Sequence, residues 1–262
     1  MPDQRYFLEI AYCGTAYHGW QVQANAHTVQ AELNTALSTI FRKPIETLGA
    51  GRTDTGVHAR QLFVQFDVQE PLPNRFLYSL NSLLPFDITV QDCFAVANTA
   101  HARFDATSRT YEYLMYTAKN PFLRGLACYY PIPLDLEKMN AAAKHLYGTH
   151  DFSCFSKGRT DTKTNICTIT HAAWTKRDEV LVFTVQADRF LRGIVRAIVG
   201  TLTEVGRNRM SEQELLQIIE NKKRSEAGES MDPCGLYLIR VDYDFKAIRT
   251  LDEAVVKDNV KN

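Results

Sequence analysis

The sequence predicts an α+β protein of two halves that share a mostly antiparallel central sheet. Three observations predict this. Over the first 100 residues the hydrophobic pattern runs strand, helix, strand, strand, helix, strand, which is the split βαβ order of ferredoxin-like folds. The second half repeats that flavour with longer pieces. No low-complexity linker separates the two, so one continuous sheet fits better than two independent domains.

Each element has a local reason. Residues 6–12 alternate and are rich in β-formers. Residues 13–23 are Gly- and aromatic-rich and read as a loop or short strand. From Thr28, a potential cap, Val29, Leu33, Ala36, Leu37 and Ile40 fall on one helical face, and Pro44 ends the run. Residues 45–50 and 62–68 read as strands around a polar loop, 74–84 as a helix stopped by Pro85, and 88–96 as a strand. In the second half, 109–117 is a strand, and 136–146 is a helix followed by a Gly/Asp turn. Residues 166–174 and 180–187 form a hairpin, and 190–205 is an apolar helix. Residues 211–221 form a helix that Ser211 can cap, and 236–242 a closing strand. The division is therefore 1–100, 101–245 and a polar tail at 246–262.

The bulk numbers narrow the function. Of 262 residues, 45% are apolar and 23% charged, the balance of a globular chain with a substantial core. No apolar run reaches the ~20 residues of a membrane span, and the polar start, Met1 to Arg5, does not look like a signal peptide. Six cysteines at 13, 93, 128, 154, 167 and 234 form no Cys-x-x-Cys pair, which argues against structural zinc and against a disulfide scaffold. A cytoplasmic protein with reduced thiols is expected, without membrane association. Lysine plus arginine balances aspartate plus glutamate at 30 each, so any nucleic-acid binding needs a local basic face.

The segment richest in chemistry is Gly49-Ala-Gly-Arg-Thr-Asp-Thr-Gly-Val-His-Ala-Arg60. Its glycines permit tight turns and close approach of a ligand. Arg52 lies two residues from Asp54 and can hold that carboxylate ionised or contact a phosphate. A plain Gly-rich turn, with Asp54 capping it and Arg52 pairing at the surface, reads the same composition. A dinucleotide-binding fingerprint does not, because the third glycine and the opening helix are missing.

Arg52-Thr-Asp54 and its flanks, Gly51-Arg-Thr-Asp-Thr-Gly-Val-His58, resemble the catalytic motif of the tRNA pseudouridine synthase A family. Further blocks are similar in the same order: Ala11 to Gln23, His101 to Tyr113, Asp151 to Ser156, Phe190 to Gly206 with Val195-Arg-Ala-Ile-Val-Gly200, and Gly235 to Leu238. The resemblance spans about residues 5 to 243 and implies the pseudouridine synthase fold. It implies an isomerase that breaks the ribose C1′–uracil N1 bond and rejoins the base through C5, without a cofactor or a metal. Asp54 carries the essential carboxylate; attack at C1′, attack at C6 and removal of a ribose proton all remain open for it. No water is consumed, so one carboxylate suffices where glycosidases commonly use two.

Tyr111 matches the family's active-site tyrosine, able to stack on a flipped uracil or assist proton transfer at C5. Tyr113 lies on the same strand face, so one of the two can be packing alone. Arg196 matches a helix arginine that pairs with the aspartate. Arg189, Arg192 and Arg196 fall at i, i+3 and i+7 of the expected helix, whose apolar remainder predicts burial and hence a carboxylate partner. Arg52 is expected to contact the RNA and take the place of the extruded base, His58 to bind substrate, and Leu236 or Leu238 to line the pocket. The basic face would draw on Arg52, His58, Arg60, Arg103, Arg109, Lys157, Arg159, Lys163, Arg207 and Arg209.

The family further implies a homodimer and tRNA as partner, with uridines 38, 39 and 40 of the anticodon stem-loop as targets. Departures from its pattern are Cys13 in place of an acidic residue, Thr55 in place of alanine, and Lys163-Thr-Asn165 in place of an arginine-containing stretch. Two rival readings compete. Asp54, His58, His101 and His150 as metal ligands lack any compact His-x-x-x-His pair. A non-catalytic RNA-binding protein does not explain the joint presence of Asp54, Tyr111 and Arg196.

Overall fold

The computed structural model describes residues 3–156 and 164–249. Two compact units emerge: residues 1–107 with 238–262, and residues 108–237.

The first unit opens with β1 (Gln4–Tyr12), α1 (Val29–Phe41), β2 (Leu48–Gly49), β3 (His58–Val68), α2 (Phe76–Leu83) and β4 (Ile88–Val96). β1 pairs antiparallel with β3 and β4, and β2 antiparallel with β3, which is the ferredoxin-like arrangement. α1 starts where Thr28 accepts the Ala31 amide and ends at Arg42 in the left-handed region. β2 is shorter than the strand expected at 45–50. Residues 45–47 bond to side chains of α1 instead: the Ile45 amide donates to Ser38 Oγ, Gln30 Nε2 to the Thr47 carbonyl, and Thr47 Oγ1 to Asn34.

Alternation along the strands builds an apolar layer on each face of this sheet. On one, Tyr6 and Phe66, direct partners in register, stack at 5.5 Å and continue through Phe76 and Phe41 to α2 and α1. On the other, Phe7, Phe63 and Phe94 pack together, and each ring buried this way contributes roughly 2 kcal/mol.

The second unit comprises β5 (Ala106–Tyr116) from Ser108 onward, β6 (Cys128–Tyr129), α3 (Leu136–Ala143), β7 (Gly148–Asp151), β8 (Ile166–Arg177), β9 (Val180–Ala187), α4 (Ile194–Gly206) and α5 (Glu212–Asn221). Its sheet runs β5-β9-β8-β7, antiparallel throughout, with β6 alongside β5 in parallel. Ser211 and Glu214 close a capping box at α5. Two expectations are corrected here. The Gly/Asp turn after α3 is in fact the edge strand β7. The apolar helix begins at Ile194 and not at 190, because Gly193 at φ 74° breaks the helical path.

The chain then returns. β10 (Leu236–Tyr243) belongs to the first unit from Leu238 onward and lies beside β3, where the Val241 amide donates to Gln61 Oε1. α6 (Phe245–Ile248) follows. Residues 245–249, at the edge of the expected polar tail, are packed: Tyr243 and Phe245 join Phe63 and Phe94, and Arg249 sits 4.3 Å above the Phe94 ring. The sequence reading divides the chain at 100 and leaves β10 with the second half, since nothing in local pattern shows a strand returning across 180 positions to Gln61. Among the described residues no helix is long and apolar enough to cross a membrane.

Candidate active site

Asp54 sits in the loop between β2 and β3. The Val57 amide donates to the Asp54 carbonyl at 3.1 Å and closes a turn, with Gly56 at φ 76°. A second stretch, residues 12–20, cradles this turn from outside. The Tyr12 hydroxyl and Thr53 Oγ1 lie 2.8 Å apart, the Trp20 amide donates to the Thr53 carbonyl, and the Gly56 amide donates to the Tyr17 carbonyl. The approach is too close for side chains. A Cβ on Gly19 would stand 2.5 Å from the Thr53 oxygen, and Gly19 is at φ 91°; one on Gly14 would stand 2.0 Å from the Val57 oxygen. The Gly- and aromatic-rich segment 13–23 thus fixes the backbone that carries Asp54. Asp54 is half-buried, while Arg52 and Thr55 are exposed.

His58, the first residue of β3, is buried, and its Nδ1 accepts the Gly14 amide at 3.2 Å. It therefore holds the cradle from within. Tyr17 is also buried, and its hydroxyl donates to Asp87. Burial first, then that carboxylate, push its phenol well above the ordinary value. The departure at Cys13 falls on this cradle, where the Cys13 amide donates to the Asp87 carbonyl and the half-exposed thiol lies 3.4 Å from Thr15 Oγ1.

In the second unit, Tyr111 and Tyr113 differ sharply. Tyr113 is fully buried and its hydroxyl donates to the Asp232 carbonyl at 2.8 Å; burial raises its phenol far out of the titrating range. It is the packing member of the pair. Tyr111 is half-buried and meets Phe190 edge to face, with centroids 5.0 Å apart.

Arg196 is half-buried on α4. Its Nε donates to the Met231 carbonyl at 2.5 Å, and the Met231 amide donates back to the Arg196 carbonyl. Residues 228–231 are bound to the helix at further points. The Gly228 amide donates to Thr201 Oγ1, and a Cβ on Gly200 would stand 1.8 Å from the Glu229 oxygen. Arg224 tightens the strap by donating to the carbonyls of Ala227 and Gly228 and to Ser230 Oγ. Arg189 and Arg192 precede the helix, so the expected three-arginine helical face does not form. Leu236 and Leu238 are both buried, two residues apart on β10.

The candidate basic residues are unequally placed. Arg52, Arg60, Arg103 and Arg209 are exposed. Arg109 donates to the Asp188 carbonyl, and Arg207 is paired with Glu204 at 2.9 Å, which offsets its charge. Lys157, Arg159 and Lys163 lie outside the described residues, as does the first position of the Lys163-Thr-Asn165 departure. The three histidines of the imagined metal set each have a backbone partner: His58 as above, His101 Nδ1 with the Arg103 and Phe104 amides, and His150 Nε2 with the Tyr147 carbonyl.

The cradle is what the sequence reading missed. Its only linear signal is the spacing Gly14-x-x-x-x-Gly19-Trp20, which has no meaning until Thr53 is known to lie against it.

A ferredoxin-like unit carrying a rigid Gly-Arg-Thr-Asp turn defines an enzyme-like scaffold, and comparison with known proteins gives the class. Residues 142–244 match the family described as tRNA pseudouridine synthase. Relatives named tRNA pseudouridine synthase A match nearly the whole chain. That of Bacteroides fragilis is 52% identical over 246 residues, covering 93% of this chain and 98% of its own. That of Parabacteroides distasonis is 48% identical, covering 92% and 96%. That of Acetivibrio thermocellus is 41% identical, covering 90% and 98%. The chain belongs to the tRNA pseudouridine synthase A family.

Proposed function

We propose that this protein isomerises uridine to pseudouridine at positions 38, 39 and 40 of the tRNA anticodon stem-loop, with Asp54 as the essential carboxylate. The observation that carries the reading is the Asp54 turn: a half-buried carboxylate on a backbone fixed by the Tyr12–Trp20 cradle. Preorganisation of that kind suits a group that must meet one ring atom of an extruded nucleotide. In the reaction the C1′–N1 bond breaks, C5 takes the sugar and loses its hydrogen, and N1 gains a proton, so no cofactor is needed. Tyr111, half-buried, is assigned to stacking on the uracil or proton transfer at C5. Arg196 is assigned to the aspartate's charge, Arg52 to the RNA at the vacated base position, and Leu236 or Leu238 to the pocket wall. His58, buried against Gly14, serves the substrate site by holding the cradle. The family resemblance supports a homodimer acting in the cytoplasm.

The test is to incubate the protein and an Asp54→Ala variant with unmodified tRNA and map pseudouridines by carbodiimide treatment and primer extension. Stops confined to positions 38–40 with the unaltered protein, and none with the variant, are expected. No stops with either protein would sink the proposal and leave the RNA-binding reading.

A further inference from the structure

We infer that Phe104 is a stacking platform for an unpaired nucleobase of the RNA substrate, an inference that rests on the tRNA-modifying reading above. Phe104 lies in the loop His101-Ala-Arg-Phe-Asp105, between β4 and β5. This loop is tied at every residue. The His101 amide donates to Asp105 Oδ2 at 2.8 Å, and the Asp105 amide donates back to the His101 carbonyl. The Ala102 amide donates to Oε1 of the buried Gln65 at 2.7 Å, and the Tyr243 hydroxyl donates to the Ala102 carbonyl. The amides of Arg103 and Phe104 both donate to His101 Nδ1, at 3.1 and 3.3 Å.

This frame holds Phe104 out in solvent with 75% of its surface exposed. The His101 imidazole lies along the ring, with centroids 4.2 Å apart and planes at 34°. The exposed Arg103 guanidinium stands 5.9 Å from the ring centre.

An exposed phenylalanine is ordinary by itself. Here three features point to a base. The loop is ordered before binding, so stacking forfeits little conformational freedom. The imidazole backs the ring, and a base on the opposite side would complete a layered stack of the kind single-stranded nucleic acids form with aromatic side chains. A cation sits beside the platform, where the phosphate of the stacked nucleotide would lie. A protein-docking surface would need a broader apolar patch, yet Phe104 is the one large apolar side chain between residues 97 and 107.

The experiment uses the full chain with Phe104→Ala and Phe104→Trp, and unmodified tRNA carrying tritium at uracil C5. Loss of one base stack is expected to raise KM about tenfold, with kcat within about twofold, and the tryptophan variant to restore KM. Phe104→Trp also reports directly. Trp20 and Trp174 are buried, so an indole at position 104 supplies the solvent-exposed emission, and saturating tRNA should quench it. A normal KM for Phe104→Ala, or emission indifferent to tRNA, would overturn the inference. So would a change in sedimentation of Phe104→Ala with RNA binding intact, since the ring would then join copies of the chain. Failure of the unaltered protein to release tritium would count against the proposed function instead, and the fluorescence titration would still decide the stacking.

Discussion

The loop around Asp54 and the helix around Arg196 both rely on a backbone strand crossing a glycine, yet they fix different things. In the first unit, Gly14 and Gly19 admit the carbonyls of Val57 and Thr53, and the amides of Trp20 and Gly56 tie the main chain of the cradle to that of residues 53–56. What is set there is the position of the Asp54 backbone. In the second unit, Gly200 admits the carbonyl of Glu229, and the strap so placed offers its Met231 carbonyl to the arginine side chain itself. What is set there is the direction of a guanidinium. In the one region it is the backbone of the carboxylate proposed to react that is fixed, and in the other the side chain of the cation assigned to electrostatic support.

The largest effect that would sharpen this contrast comes from Asp54→Asn, which keeps the shape of the side chain. Activity should fall by at least about a thousandfold while the melting temperature stays within a few degrees. Residual turnover above a tenth of normal, by tritium release, would break the assignment of Asp54 as the reacting group.

Next come the two crossings. Gly19→Ala adds a Cβ 2.5 Å from the Thr53 oxygen at a φ of 91°, and Gly200→Ala adds one 1.8 Å from the Glu229 oxygen. Each should destabilise by about 2–4 kcal/mol in urea unfolding, since the neighbour is backbone and cannot swing aside. Gly51→Ala, whose Cβ would meet nothing within 4 Å, is the control and should be neutral. Equal stability of all three variants would show that the close crossings do not hold either region.

A smaller effect separates the tyrosines. Tyr113→Phe leaves the Asp232 carbonyl without its 2.8 Å donor from the buried ring and should cost about 1 kcal/mol of stability. Tyr111→Phe, on the half-buried ring, should lower the rate if its hydroxyl moves a proton. Reversed phenotypes in paired melts and rate assays would exchange the two roles.

Much of this was legible in one dimension. The βαββαβ order, the Thr28 and Ser211 caps and the strand at 88–96 follow from periodicity and local chemistry, which act within a turn or two. The Asp54 motif was legible because its residues are contiguous. What stayed hidden depends on partners far away in sequence. The shortness of β2 lies in bonds to Ser38, Gln30 and Asn34. The cradle needs Tyr12 to meet Thr53 across 41 positions. The helix start was misplaced because the run from 190 to 205 is apolar on both sides of Gly193, and hydrophobic pattern does not report a single positive φ.

The smallest expected effect sets the two units apart by pH. Burial raises the thiols of Cys154, Cys167 and Cys234, all in the second unit, to about 12, 11 and 12 from an ordinary 9. In the first unit Cys93 is likewise raised by burial. Above pH 9 the unfolded chain loses these protons while the folded chain keeps them. The unfolded state then binds fewer protons, and stability must fall as pH rises. The raised phenols of Tyr17 and Tyr113 act in the same sense from about pH 10. Melting temperature should therefore be level from pH 7 to 8.5 and decline progressively from pH 9 to 10.5. Burial raises Cys128 as well, so four of these five thiols lie in the second unit, and its amides should lose exchange protection first. A flat melting curve over that window would show that the buried thiols ionise as readily folded as unfolded. Earlier loss in the first unit would show that Cys93 and Tyr17 outweigh the second unit's four raised thiols.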